Sequence, residues 1–173
     1  MKTLVLTSLA ALAAAASAAA QAPAPGGPPP APPRARGPSL ALALEAAQTA
    51  VATCLANGYR TTALVVDAAG VPVVLLSGDG APERTQTVAA TKAAAVIRYK
   101  APSGDIADRV KTDPALDAEV KADPKIGTAR RGALPIRVGD DLIGALAVSG
   151  APGGDKDEAC ARPALERIAA RLN

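Results

Sequence analysis

Ser149-Gly150-Ala151-Pro152-Gly153-Gly154-Asp155-Lys156-Asp157-Glu158-Ala159-Cys160-Ala161 sets a glycine-rich turn between an apolar run, Leu142 to Val148, and an acidic segment. Glycine admits positive φ and close backbone approach, while acids in a first helical turn complement its free N–H groups and the helix dipole. The stretch therefore reads as a strand, a loop and a helix start. Such a junction can hold a small anion or polar group.

Moving back from this loop, Ala133 to Val138 and Leu142 to Val148 bracket Gly139-Asp140-Asp141, which predicts a hairpin. Thr61 to Val66 and Val71 to Leu76 flank Asp67-Ala68-Ala69-Gly70 and predict another, with Pro72 at a strand start or an edge. Ser39 suits an N-cap, and Leu40, Leu44, Ala47, Val51 and Cys54 follow at helical spacing as one apolar face, closed by Asn57-Gly58. After a loop from Ser77 to Pro82, Glu83 to Tyr99 predicts an alanine-rich helix. Asp105 to Lys111 and Asp113 to Lys121 predict two short charged ones. The last helix is expected from Asp155 to Leu172, with Cys160, Ala164, Ile168 and Leu172 in a stripe and Pro163 imposing a kink or a late start. The order of elements predicts an α+β fold, an antiparallel sheet covered by helices.

Met1-Lys2 leads into an uncharged run, Leu4 to Ala20, that has the n-region and h-region of a secretory signal, with Ala18-Ala19-Ala20 available for cleavage. The run is too short and too weakly apolar for a membrane span, so no membrane anchor is expected once residues 1–20 are removed. Residues 21–38 are proline-rich without apolar periodicity and predict a disordered linker. Residues 39–173 are the right length for one domain. The mature protein is expected in the periplasm or secreted.

Lys2, Arg34 and Arg36 are the only charged residues before Ser39, which leaves the domain with 16 basic and 16 acidic residues. A neutral domain with two tyrosines and neither tryptophan nor phenylalanine argues against nucleic acid as a partner. With no histidine, neither a Ser-His-Asp or Cys-His constellation nor an H-E-x-x-H zinc site can form. Two cysteines alone leave a zinc site short of ligands, so no metal is expected.

Three fragments recur in order: Val65-Val66-Asp67-Ala68-Ala69-Gly70; Asp79-Gly80-Ala81-Pro82 with Thr91-Lys92-Ala93; and the glycine-rich loop. Together they resemble the GlcG/HbpS family of haem-degrading-domain (DUF336) proteins over nearly all of Leu40 to Leu172. The resemblance implies a profilin-like or PAS-like arrangement, a homo-oligomer, and haem as a ligand. It also implies that the first and last helices share one side of the sheet. Cys54 and Cys160 can then meet, as a disulfide in an oxidising compartment or as two buried thiols.

Candidate ligand-binding residues are Lys92, Gly150, Gly153, Gly154, Asp155, Tyr99, Arg130 and Arg131. Lys92 lies on or beside an apolar helix face, where its amine either enters a cleft or snorkels to water. Gly153-Gly154 and Lys92 are expected to border one cleft that favours an anionic group. Asp155, Asp157 and Glu158 read first as stabilisers of the helix start, and secondly as groups orienting Lys92 or a ligand. Tyr99 with Arg98 and Lys100, and the pair Arg130-Arg131, either meet a haem iron and its propionates or sit at the core edge and in solvent. The axial ligand would have to be Tyr59, Tyr99, a cysteine or a lysine.

Three functions follow. The first is an exported small-ligand-binding protein for haem or another tetrapyrrole. The second is a Lys92-centred enzyme on a small anionic metabolite. The third is a non-catalytic oligomeric accessory protein.

Overall fold

The computed structural model describes residues 35–173. The expected signal peptide and linker residues 21–34 lie outside them. Aliphatic and β-branched residues build β1 (Thr62–Asp67), β2 (Pro72–Ser77), β3 (Ala133–Val138) and β4 (Asp141–Ser149). These pair antiparallel throughout in the order β2-β1-β4-β3. Every residue of the central strand β1 is buried, so it lacks the polar alternation of a half-exposed strand. Pro72 opens the edge strand β2, as a residue without an N–H must.

Five helices cover the sheet: α1 (Leu40–Ala56), α2 (Arg84–Tyr99), α3 (Ser103–Arg109), α4 (Pro114–Ala122) and α5 (Gly154–Ala169). α1 and α5 pack on one face, over Ala63, Val65, Ile136, Leu146 and Val148. α2 packs on the other, over Leu64, Val66, Ala145 and Ala147. The fold is the expected α+β architecture, and both hairpins lie where the sequence places them. Beyond α2, Ile106, Leu116, Val120 and Ile126 close a smaller cluster that seats α3 and α4. Asp113 caps α4 by accepting the Leu116 N–H at 3.0 Å.

The buried face of α1 differs from the expected one. Ala43, Ala46, Ala47, Ala50 and Cys54 face the core, whereas Leu40 and Leu44 are 66% and 40% exposed. The alanine side allows closer approach to Ala161 and Ala164 of α5 than a leucine side would, and that approach brings the two cysteines together. Cys54 and Cys160 are bonded to each other, with Cα atoms 5.4 Å apart.

The last helix begins at Gly154 and runs through Pro163, so the proline does not delay its start. Ala159, whose carbonyl has no Pro163 N–H to accept, is exposed and can use water instead. The helix ends at Ala169, leaving Leu172 beyond it.

Residues 35–38, read from sequence as linker, lie against the domain. The Arg36 carbonyl accepts the Ala68 N–H at 2.9 Å, its guanidinium meets Asp141 at 2.7 Å, and Pro38 is buried. Gly37 passes so close to Asp67 that an added Cβ would stand 2.8 Å from that residue's own. A chain starting at Ala35 should therefore melt with the full-length protein. One starting at Ser39 should lose about 1 kcal/mol from the orphaned Ala68 N–H, and equal melting temperatures would contradict this role for the segment.

Candidate functional site

Lys92 points from α2 beneath the loop between β4 and α5 and is only 3% exposed. Its ammonium donates to Asp157 Oδ2 at 2.6 Å and to the Val148 carbonyl at 2.8 Å. The other carboxylate oxygen, Asp157 Oδ1, accepts the Ala151 N–H at 2.9 Å. One side chain in the first turn of α5 thus ties α2 and the glycine loop together. Burial pulls the Lys92 amine below its ordinary pKa and pushes the Asp157 carboxyl above its own, each opposed by the other's charge. Of the two roles open for Asp157, the structure assigns it contact with Lys92.

Gly132, just ahead of β3, makes room for this pair. Its φ is +124°, and a Cβ there would lie 2.7 Å from Lys92 Nζ and 2.8 Å from the Asp157 Cβ. Nothing in the sequence marks Gly132, since its neighbours across the space come from α2 and α5. Gly150 has φ +129°, and a side chain there would collide with the Arg60 carbonyl.

Above the pair lies a cleft of about 470 Å³. Lys92, Gly150, Gly153, Gly154, Arg130 and Arg131 all line it, so the expected neighbourhood of Lys92 and the glycine turn exists. Arg84, Lys111 and Asp157 also line it and were not among the candidate ligand residues. Arg131 is held by Asp108 at 2.5 Å and Glu158 at 3.4 Å. Lys111 also meets Asp108, at 2.8 Å. Arg84 and Arg130 make no ion pair among the described residues. Gly153, the N-cap of α5, has no side chain to cap the helix, which leaves first-turn N–H groups for a ligand or water.

Two candidates fall elsewhere. Asp155 lines a shallow depression beside Glu158 and Arg162, which it shares with Arg131. Tyr99 does not line the cleft, and its hydroxyl donates to Glu119 of α4 at 3.3 Å. The grouping of Tyr99 with Arg130-Arg131 is therefore not assembled. Tyr99 ends α2 two turns beyond Lys92, where it packs on the Ile106, Leu116 and Val120 cluster beneath α3 and α4 and not at the glycine-rich loop. A second cavity, about 690 Å³, lies on the opposite flank of α2.

Residues 39–166 match the family model described as haem degrading protein HbpS-like. The chain belongs to the HbpS-like family. Its fold superposes on HbpS with a TM-score of 0.71 at 28% identity, covering 83% of this chain and 98% of that one. For a double mutant of HbpS from Streptomyces reticuli, the TM-score is 0.69 at 31% identity, with 91% and 99% covered. The HbpS-like fold also matches a protein solved as a PduOC:heme complex, with a TM-score of 0.67 at 21% identity over 76% and 95% of the two chains. At that identity the likeness is one of fold. No curated protein sequence resembles the chain closely enough to count as a match.

Proposed function

We propose that this HbpS-like chain is an exported, non-catalytic binding protein whose cleft takes a small organic anion by its carboxylate. One observation carries the reading. Arg84, Lys92, Lys111, Arg130 and Arg131 line the cleft against a single carboxylate, Asp157, which Lys92 neutralises. The uncapped start of α5 adds N–H donors to the same space. A carboxylate entering it meets the guanidinium of Arg84 or Arg130 without displacing an existing partner.

Export is supported by the leader-like residues 1–20 and by a disulfide buried between two helices. No helix among the described residues is long and apolar enough to cross a membrane. Self-association, the other expectation from the family, is supported by Leu40, Leu44 and Leu55, which stand exposed on α1. Catalysis by Lys92 has less support. Its amine is committed to Asp157 and the Val148 carbonyl, and an attacking amine must be free of both.

Family membership and the likeness to the PduOC:heme complex add haem or another tetrapyrrole as a candidate ligand. For the cleft itself the test is calorimetric titration with simple mono- and dicarboxylates. A charge-assisted hydrogen bond contributes about 1.5–3 kcal/mol, so Arg130→Glu should weaken carboxylate binding roughly tenfold or more at an unchanged melting temperature. Equal affinity in the variant, or no binding by the parent protein, would overturn the reading.

A further inference from the structure

The charges that line the anion cleft are not all open to a ligand. Asp157 cancels Lys92, while Asp108 meets both Lys111 and Arg131, and Glu158 meets Arg131 again. Arg84 and Arg130 remain without an ion pair among the described residues, and Asp157 is the one acid on the lining they form. That remainder complements a dianion.

The two arginines stand at different ends of the cleft. Arg84 opens α2, and Lys92 lies about 12 Å further along the helix axis. Arg130 belongs to the Lys92 end: it sits just ahead of Gly132, which packs against Lys92 Nζ, and its charge opposes protonation of that amine. Ser149 lies between them. The Val148 carbonyl before it holds Lys92, and Ser149 itself pairs across the sheet with Thr62, whose hydroxyl meets that of Thr85, next to Arg84, at 2.7 Å. Ala145 and Ala147 face α2, so the alternation of β4 turns Ser149 to the same side, onto the cleft wall.

Ser149 is only 5% exposed, yet its hydroxyl has no hydrogen-bond partner among the described residues. Thr85, by contrast, is committed to Thr62 and the Pro82 carbonyl. A buried hydroxyl left unpaired on a cleft wall is a place for a ligand oxygen. The lining does not fit a haem iron: no His, Cys, Met or Tyr is part of it, and both its lysines are paired with carboxylates.

We propose that the cleft selects a short dicarboxylate carrying a hydroxyl or keto oxygen between its ends. Arg84 takes one carboxylate, Arg130 takes the other, and Ser149 Oγ bonds the oxygen between them. The assignment rests on the carboxylate reading of this cleft and names the ligand class within it.

The test is calorimetric titration of the full chain with butyrate, succinate and malate, which differ by one carboxylate and then by one hydroxyl. Succinate should bind about tenfold or more tighter than butyrate, and malate about threefold tighter than succinate. Arg84→Gln should erase the gap between succinate and butyrate while leaving butyrate unchanged. Ser149→Ala should erase the gap between malate and succinate with the melting temperature kept, because the hydroxyl it removes holds nothing in the fold. Equal affinity for butyrate and succinate would overturn the dicarboxylate assignment and leave the carboxylate reading standing, whereas binding of none of the three would remove both. A preference for malate that survives Ser149→Ala would overturn the role of Ser149. Inorganic phosphate binding tighter than all three would overturn the ligand class.

Discussion

Lys92→Met is expected to destabilise the fold by about 3–5 kcal/mol, the cost of leaving one member of a buried ion pair without its partner. A lysine that snorkelled to water would lose almost nothing on this change, because methionine keeps the apolar stem. Here the amine is 3% exposed and bonded to Asp157, so the variant retains a buried carboxylate with no cation beside it. Burial already raises the Asp157 pKa from 3.8, and removing Lys92 deletes the largest influence that lowers it. A carboxyl whose folded pKa is raised contributes stability that is full below its unfolded value and is lost as pH rises through the folded one. The variant should therefore regain stability on acidification towards 3.8, against the usual trend for acid unfolding. Lys92→Met/Asp157→Asn should be more stable than the single variant at neutral pH, since asparagine keeps an oxygen for the Ala151 N–H and buries no charge. Thermal melts from about pH 4 to 8 test both statements; a single variant that melts with the parent at pH 7 would show that the pair is dispensable.

The parts of this fold that were legible in the sequence are those that local chemistry dictates. Gly70 and Gly139 fix hairpin turns, β-branched runs fix strands, and Asp113-Pro114 starts α4. The glycine-rich loop was legible for the same reason, because its positive φ values and an acidic helix start are written in consecutive residues. What escaped reading depends on partners from distant segments. The face of α1 that enters the core was misassigned because hydropathy favours leucine, while the contact with α5 selects the smaller alanine side. Asp157 looked like one of three interchangeable acids at a helix start, and only its register beneath the loop separates it from exposed Asp155. Gly132 is needed for space claimed jointly by α2, β4 and α5, and no pattern within one segment carries that information. Tyr99 ends in a contact with Glu119 of α4 and does not reach the cleft, whereas Arg131 lines it while held by Asp108 and Glu158.

Cys54→Ala/Cys160→Ala is expected to lower stability by an amount approaching 5 kcal/mol, the chain-entropy figure for cross-linking residues about 100 apart. The measured separation is 106 residues, so the bridge joins the first and last helices and constrains nearly the whole domain in the unfolded state. Alanine is the right replacement, because both sulfurs lie in an apolar layer with Ala47, Ala50, Ala161 and Ala164, where a serine hydroxyl would be buried without a partner. Other ties between α1 and α5 are weak by comparison. Glu45 accepts from Arg167 and Arg171, which hold its carboxyl down to about 2, but the trio is at the surface, where solvent screens it. In the unreduced protein, thiol labelling should find no free cysteine, and reductant should lower the melting temperature of the parent to that of the double variant. An unchanged melt on reduction would mean that the alanine-lined contact of α1 with α5, and not the bond, holds the two helices together.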